Sequence, residues 1–228
     1  MKEDLTGGFH SYGRGRWVAV FGPDGAGKTA VIAGLQHKLA SRFSGCVRFH
    51  FRPRLFARQV DAPPVTAPHA QTPRGLFISN VKLFYWLLDC WLGFFFHVLP
   101  ALRSSRLVIF DRYLPDLLVD PVRYRLPAGA TKLAARLVRF APQPHLCILL
   151  DASAEQVQQR KQEVSLAESR RQQQTYLQLF RRLPDAFVID ADRPLEEVTR
   201  EAAAIISSFR FRVSGFKSTV SESVETAL

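Results

Sequence analysis

Five short apolar runs punctuate the chain: "RWVAVFG" from Arg16, "CVRFHF" from Cys46, "RLVIFD" from Arg106, "HLCILLD" from His145 and "AFVID" from Ala186. Each is nearly continuous rather than alternating, which is the pattern of strands covered on both faces, as in a parallel sheet. The segments "TAVIAGLQHKLASRF", "LFYWLLDCWLGFFFHVLPAL", "AGATKLAARLVRF", "ASAEQVQQRKQEVSLAESRRQQQTYLQLFRRL" and "PLEEVTREAAAIISSF" instead repeat their apolar positions at helical spacing. Strands alternating with helices predict a doubly wound α/β fold, a five-stranded parallel sheet with helices on both faces and right-handed crossovers. The proline-rich stretch from Arg52 to Pro73 reads as an irregular loop over the strand ends. The predicted organisation is a flexible segment over 1–15, one domain over 16–210, and a Ser/Thr-rich flexible tail over 211–228.

The most apolar run, residues 83–102, is long enough to cross a bilayer. It nevertheless carries Asp89, Gly93, His97 and Pro100, and an aspartate at mid-membrane is costly, so a helical wall inside a folded domain is the better reading and no transmembrane span is expected. Charge narrows the partners. Lys and Arg outnumber Asp and Glu by 31 to 20, for a net charge of +11, which favours phosphorylated small molecules, nucleic acid or anionic lipid headgroups. The basic residues are scattered rather than gathered in one block, which argues against a nucleic-acid stripe. Cys46, Cys90 and Cys147 lie in apolar segments without metal-ligand spacing, as expected of reduced thiols in a cytoplasmic protein.

Chemistry enters at Gly22-Pro23-Asp24-Gly25-Ala26-Gly27-Lys28-Thr29, which fits G-x-x-x-x-G-K-[ST] between an apolar strand and a helix. Glycines let the backbone N–H groups of Gly22, Gly25, Ala26, Gly27 and the following residues, through Ala30, turn around phosphate oxygens. The helix N-terminus adds its positive end, Lys28 a mobile cation and the Thr29 hydroxyl a ligand for Mg²⁺. Asp111, just past the third strand, stands where an open parallel sheet presents a second metal-linked carboxylate, and Arg112 would project toward a phosphoryl group.

These residues resemble the thymidylate kinase family of P-loop nucleoside monophosphate kinases, from about Trp17 to Phe209, through "FGPDGAGKT", "VIFDRY", "LLDASAEQVQQRK" and "VIDADRPLEEV". The resemblance implies a P-loop NTPase three-layer α/β/α fold and transfer of the γ-phosphoryl of ATP, with Mg²⁺, to a small phosphorylated acceptor. It implies that Asp24 sits near the acceptor sugar and that Arg112, with Tyr113 beside it, meets the acceptor phosphate. A lid over about 158–172 would bring Arg160, Lys161, Arg170 or Arg171 onto the donor phosphates, with Arg160 as the catalytic candidate. The loop around Asp192 would lie against the adenine. Trp86 falls on the base-stacking position and Asp89 beside it, and the helix over about 79–99 would pair with a second subunit.

Several positions depart from the family. Cys90 replaces the arginine that reads the thymine edge, and "HFRPRLFA" puts Arg52 and Arg54 where the family has an Arg-Glu-Pro element. "VDPVRYR" adds Asp120, Arg123 and Arg125 near the same mouth. Together they point to an acceptor with more negative charge or charge in a different place. A sugar or lipid-linked acceptor would present a hydroxyl and need a base, for which Asp24, Asp89 or Asp120 is the candidate. A nucleic-acid end kinase would need a continuous basic stripe leading to Arg112.

Overall fold

The computed structural model describes residues 14–53, 72–160 and 164–209. Arg54 and Lys161, most of both terminal segments and most of the 52–73 loop lie outside them. Strands β1 (Arg16–Phe21), β2 (Cys46–His50), β3 (Leu107–Asp111), β4 (Leu146–Asp151) and β5 (Ala186–Asp190) form one sheet in the order β2-β3-β1-β4-β5. Every neighbouring pair is parallel. The expected fold class holds. Successive β1 residues alternate between two cores. Trp17, Ala19 and Phe21 pack with β3's Val108 and Phe110 on one face, while Val18 and Val20 pack with Leu107, Ile109 and Ile148 on the other. With both faces covered, the strands read as unbroken apolar runs.

Helices α1 (Lys28–Lys38) and α8 (Leu195–Ser208) cover the second face. The first is covered by α2 (Leu76–Gly93), α5 (Ala128–Leu137) and α7 (Leu166–Phe180). Between α5 and α2 in chain order stand two short helices, α3 (Leu99–Arg103) and α4 (Asp116–Val119). The long helical segment expected after β4 is divided. Helix α6 (Ala154–Arg160) ends before Ser165, whose side chain caps the separate helix α7 by accepting from the Glu168 N–H.

The aromatic stretch is one helical rod from Leu76 to Arg103, with a single π-helical turn at Phe94–Val98 between α2 and α3. By length and composition it could cross a membrane, yet its inner side is built into the domain through Leu83, Trp86, Cys90 and Val98, with Asp89 wholly buried. Gly93 is obligatory for this packing. A Cβ there would stand 2.2 Å from Pro53 Cγ, so only glycine lets the chain leaving β2 lie across the helix. The outer side is different. Phe77, Val81, Phe84, Leu88, Trp91 and Phe95 recur at alternating four- and three-residue steps and are all exposed.

Candidate active site

The carboxyl ends of β1 and β3 are adjacent, and the turns that follow them make the site. The β1–α1 loop closes through Gly22, Gly25 and Gly27, with φ of 145°, 92° and 83°, angles that L side chains rarely adopt. Gly27 caps α1 from the left-handed region, and the Val31 N–H donates to its carbonyl at 3.0 Å. Lys28, buried within the loop, turns back and donates to the carbonyls of Gly22 at 2.8 Å and Pro23 at 2.6 Å. Burial, with Arg112 close by, brings its pKa down to about 7 despite Asp24, Asp111 and Asp116.

The ends of β2 and β3 each turn on a non-glycine residue in the left-handed region, Phe51 at φ 64° and Arg112 at φ 70°. Both remain hydrogen-bonded to the sheet, Phe51 N–H to the Asp111 carbonyl and Arg112 N–H to that of Val20, each at 2.9 Å. The turn sends the Arg112 guanidinium into a buried cluster of acids. Nη1 donates to both Asp116 carboxylate oxygens, at 3.0 and 2.8 Å, and to the Tyr176 hydroxyl at 3.1 Å, while Nη2 reaches Asp24 Oδ1 at 2.5 Å. Arg123 takes the other Asp24 oxygen, and Tyr124 donates to Asp116 Oδ2 at 2.7 Å. Burial alone would lower the Arg112 pKa, but Asp116, Tyr176 and Asp24 more than offset it and hold it above its ordinary value.

Asp111 faces the loop from the end of β3. Burial works to raise its pKa, yet His50, Arg48 and Lys28 outweigh this and keep it far below the usual carboxylate range. Arg48 donates to Oδ2 at 2.6 Å, whereas Oδ1 is buried with no hydrogen-bond partner. Asp24, Gly25, Gly27, Lys28, Thr29, Ala30, His50, Asp111 and Arg112 line a single cavity of about 380 Å³. A second cleft, lined by Ala26, Ala30, Val31, Arg160, Ala191, Arg193, Leu195 and Val198, runs from the loop to the β5–α8 connection.

The thymidylate kinase family matches residues 20–202. A probable thymidylate kinase of Archaeoglobus fulgidus is 30% identical over 203 residues, spanning 84% of this chain and 95% of that protein. The chain belongs to the thymidylate kinase family. A thymidylate kinase of Bacillus cereus is 26% identical over 216 residues, covering 85% of this chain and 97% of its own. The thymidylate kinase structure from Candida albicans superimposes with a TM-score of 0.61 at 16% identity, over 85% of this chain and 92% of that one, and shares the fold. The chain is therefore an ATP-dependent phosphotransferase of the thymidylate kinase type.

Within this kinase, the residues named from the sequence fall into three groups. Lys28, Thr29, Asp24, Asp111 and Arg112 converge on one cavity, and Arg160 lines the adjoining cleft with its Nη1 3.4 Å from the Gly25 carbonyl. Arg52, Trp86 and Asp89 form a neighbouring wall: Arg52 Nη1 donates to Asp89 Oδ2 at 2.5 Å, and Trp86 meets Phe51 and Tyr124 edge-on.

The others are engaged elsewhere. Tyr113 is buried against Trp17 and Phe110 with its hydroxyl on the Pro142 carbonyl at 2.8 Å, so it supports the wall from behind instead of facing substrate. Asp120 accepts from the Arg123 N–H at 3.0 Å and from Gln172 at 3.3 Å, which fixes the turn carrying Arg123. Arg171 is spent on Glu168 and on the Val119 carbonyl, and Arg170 on Glu155, away from the phosphate loop. Asp192 accepts from the Ser153 N–H at 3.0 Å; Ala191, Arg193 and Leu195 line the cleft in its place. Sequence reasoning missed Arg48, Asp116 and Tyr176. Of these, Asp116 carried a local signal, since it lies four residues after Arg112.

Lys28 has a consequence for stability. The native protein releases this proton near pH 7, whereas the unfolded chain keeps it to 10.5. Between these values the unfolded state binds more protons, so the burial penalty shrinks as pH rises. Urea unfolding of wild type and Lys28→Met at several pH values across that window is expected to show the difference moving steadily in the wild type's favour. A pH-independent difference would contradict the assignment.

Proposed function

We propose that the chain transfers the γ-phosphoryl group of ATP to the phosphate of a nucleoside monophosphate-type acceptor, with the donor over the β1–α1 loop and the acceptor phosphate at Arg112. The observation that carries this reading is the convergence of Lys28, Thr29, Asp111 and Arg112 on one cavity at the carboxyl ends of β1 and β3. The apolar cleft between Ala26, Val31, Leu195 and Val198 suits a flat base, leading its triphosphate toward the loop amides.

Thr29 and Asp111 would hold Mg²⁺. The fit rests on Asp111 Oδ1, a buried carboxylate oxygen left without a partner, and on Thr29, which lines the same cavity; both supply hard oxygen donors. Bound there, the ion would neutralise phosphate charge and orient the donor. The protein's own cations do the rest. Arg112 and Arg123 are held by Asp24 and Asp116, so an arriving acceptor phosphate finds guanidinium groups already oriented and takes over part of their hydrogen bonding. Lys28 and Arg160 both reach carbonyls of the loop, those of Gly22 and Gly25, where the equatorial oxygens of a transferring group would gain charge. A phosphate acceptor oxygen is already ionised, and no side chain need remove a proton.

Cys90 offers no guanidinium at the position where the family reads the thymine edge. Burial pushes the Cys90 thiol up to about 12, which leaves it protonated and a weak donor. A coupled assay for ADP over a panel of nucleoside monophosphates is expected to find at least one acceptor, and Lys28→Ala to reduce its turnover about 100- to 1,000-fold while the fold is retained. Undiminished turnover in Lys28→Ala, or ATP consumption without any nucleoside diphosphate formed, would overturn the reading.

The exposed stripe on the helical rod lines up Phe77, Val81, Phe84, Leu88, Trp91 and Phe95, and its heptad spacing suits an identical helix packed against it about a twofold axis. The proposed occupant is a second copy of the chain. Sedimentation should give a dimer for wild type and a monomer for Leu88→Glu; a wild-type monomer at tens of micromolar would exclude it.

A further inference from the structure

At the wall made by Trp86 and Tyr124, four half-buried cations gather from separate parts of the chain. Arg52 follows β2, Arg74 precedes α2, Lys82 lies in α2 and Arg125 precedes α5. They are held in place individually. Lys82 Nζ sits 4.8 Å from the centre of the Trp86 ring, and the Arg52 guanidinium 5.3 Å from that of Tyr85. Arg74 Nη1 donates to the Tyr124 carbonyl at 3.2 Å, its backbone N–H to that of Arg125 at 3.1 Å, and Arg125 Nε to that of Thr72 at 2.8 Å. Asp89 pairs with Arg52 among the described residues. Among the described residues neither Lys82 nor Arg74 has a carboxylate partner.

Like charges gathered this closely, partly out of water, repel one another. The repulsion is visible at Lys82: burial, then Arg74, Arg52 and Arg125, bring its pKa down to about 8. The same side of α2 carries two more donors in search of a partner. Ser79 Oγ and Trp86 Nε1 are buried without hydrogen bonds, and residues 79, 82 and 86 share one helical face. The ammonium also occupies a face of Trp86 on which a flat base would otherwise stack, while Phe51 and Tyr124 meet the ring edge-on at 80° and 78°.

We infer that this cluster is an anion subsite of the acceptor pocket: the acceptor carries, besides the phosphate received by Arg112, a second and separate anionic group that Lys82 and Arg74 bind, with Arg52 beside them. The inference rests on the acceptor placement proposed above. It assigns the substrate class, a phosphorylated molecule with a carboxylate or second phosphate away from the reacting phosphate. An incoming anion would relieve the mutual repulsion of Lys82, Arg74 and Arg52.

Calorimetric titration with three probes tests this: uridine 5′-monophosphate, its 6-carboxylate orotidine 5′-monophosphate, and uridine 3′,5′-bisphosphate. At least one of the two doubly anionic probes is expected to bind about tenfold or more tightly than uridine 5′-monophosphate. That advantage should disappear in Lys82→Met and shrink in Arg74→Gln, with circular dichroism verifying both folds. The carboxylate and bisphosphate arms distinguish which anion the subsite accepts. Equal affinity for all three probes, no binding of any, or an advantage that persists in both variants would overturn the subsite. ATP titrated into the same preparations separates the two levels: ATP bound without a second-anion preference rejects the subsite alone, and no ATP binding rejects the kinase site on which it rests.

Discussion

The constraint on which the site depends is the neutralisation of positive charge at the carboxyl edge of the sheet. Lys28 and Arg112 follow two adjacent strand ends, the turn after α4 brings Arg123 beside them, and burying these cations unpaired would cost several kcal/mol for each ion. Asp24 and Asp116 answer that cost. Asp24 bridges Arg112 and Arg123 and stands 3.8 Å from Lys28, while Asp116, wholly buried, takes both donors of Tyr124 and Tyr176 as well as Arg112. A phosphate can exchange for such partners because it offers the same oxygen geometry with more charge. The resting ion pairs therefore hold the cations in position for an anionic substrate.

Much of this was legible in the amino-acid sequence, for local reasons. The strands are continuous because both sheet faces are covered, and the β1–α1 loop announces itself because its glycine, lysine and threonine positions are consecutive. What escaped was set by pairing across the sheet. Arg48 and His50 meet Asp111 because β2 lies beside β3 with His50 opposite Asp111, a register that the sequence of either strand alone does not reveal. Tyr176 reaches the site from α7, more than 60 residues beyond Arg112. The lid cations are a different case. The resemblance places Arg170 and Arg171 on a lid over the donor phosphates; in this structure they pair with Glu155 and Glu168, as exposed arginines on a helix ordinarily do. The break between α6 and α7 did have a local sign, the Ser165 cap followed three residues later by Glu168.

The aromatic rod shows how one element answers several demands. Its inner side supplies Trp86, Cys90 and Asp89 to the buried wall beside the cavity proposed for the acceptor, and Gly93 admits Pro53 close to the helix, where Arg52 pairs with Asp89. A rod with a buried aspartate on one side and an apolar stripe on the other is poorly suited to lipid all round and well suited to a wall with a covered back. The wall differs from the family pattern in its charges: Cys90 stands where the family has an arginine, and Lys82, Arg74 and Arg52 gather around Trp86.

The central claim is that a desolvated Lys28 acquires its full charge when a triphosphate enters the loop. Calorimetry of ATP–Mg²⁺ binding at about pH 8, in buffers of different ionisation enthalpy, measures this directly. Since the free lysine titrates near pH 7, the account predicts net proton uptake on binding that is lost in Lys28→Met. Binding without proton uptake, or no binding at all, would contradict it.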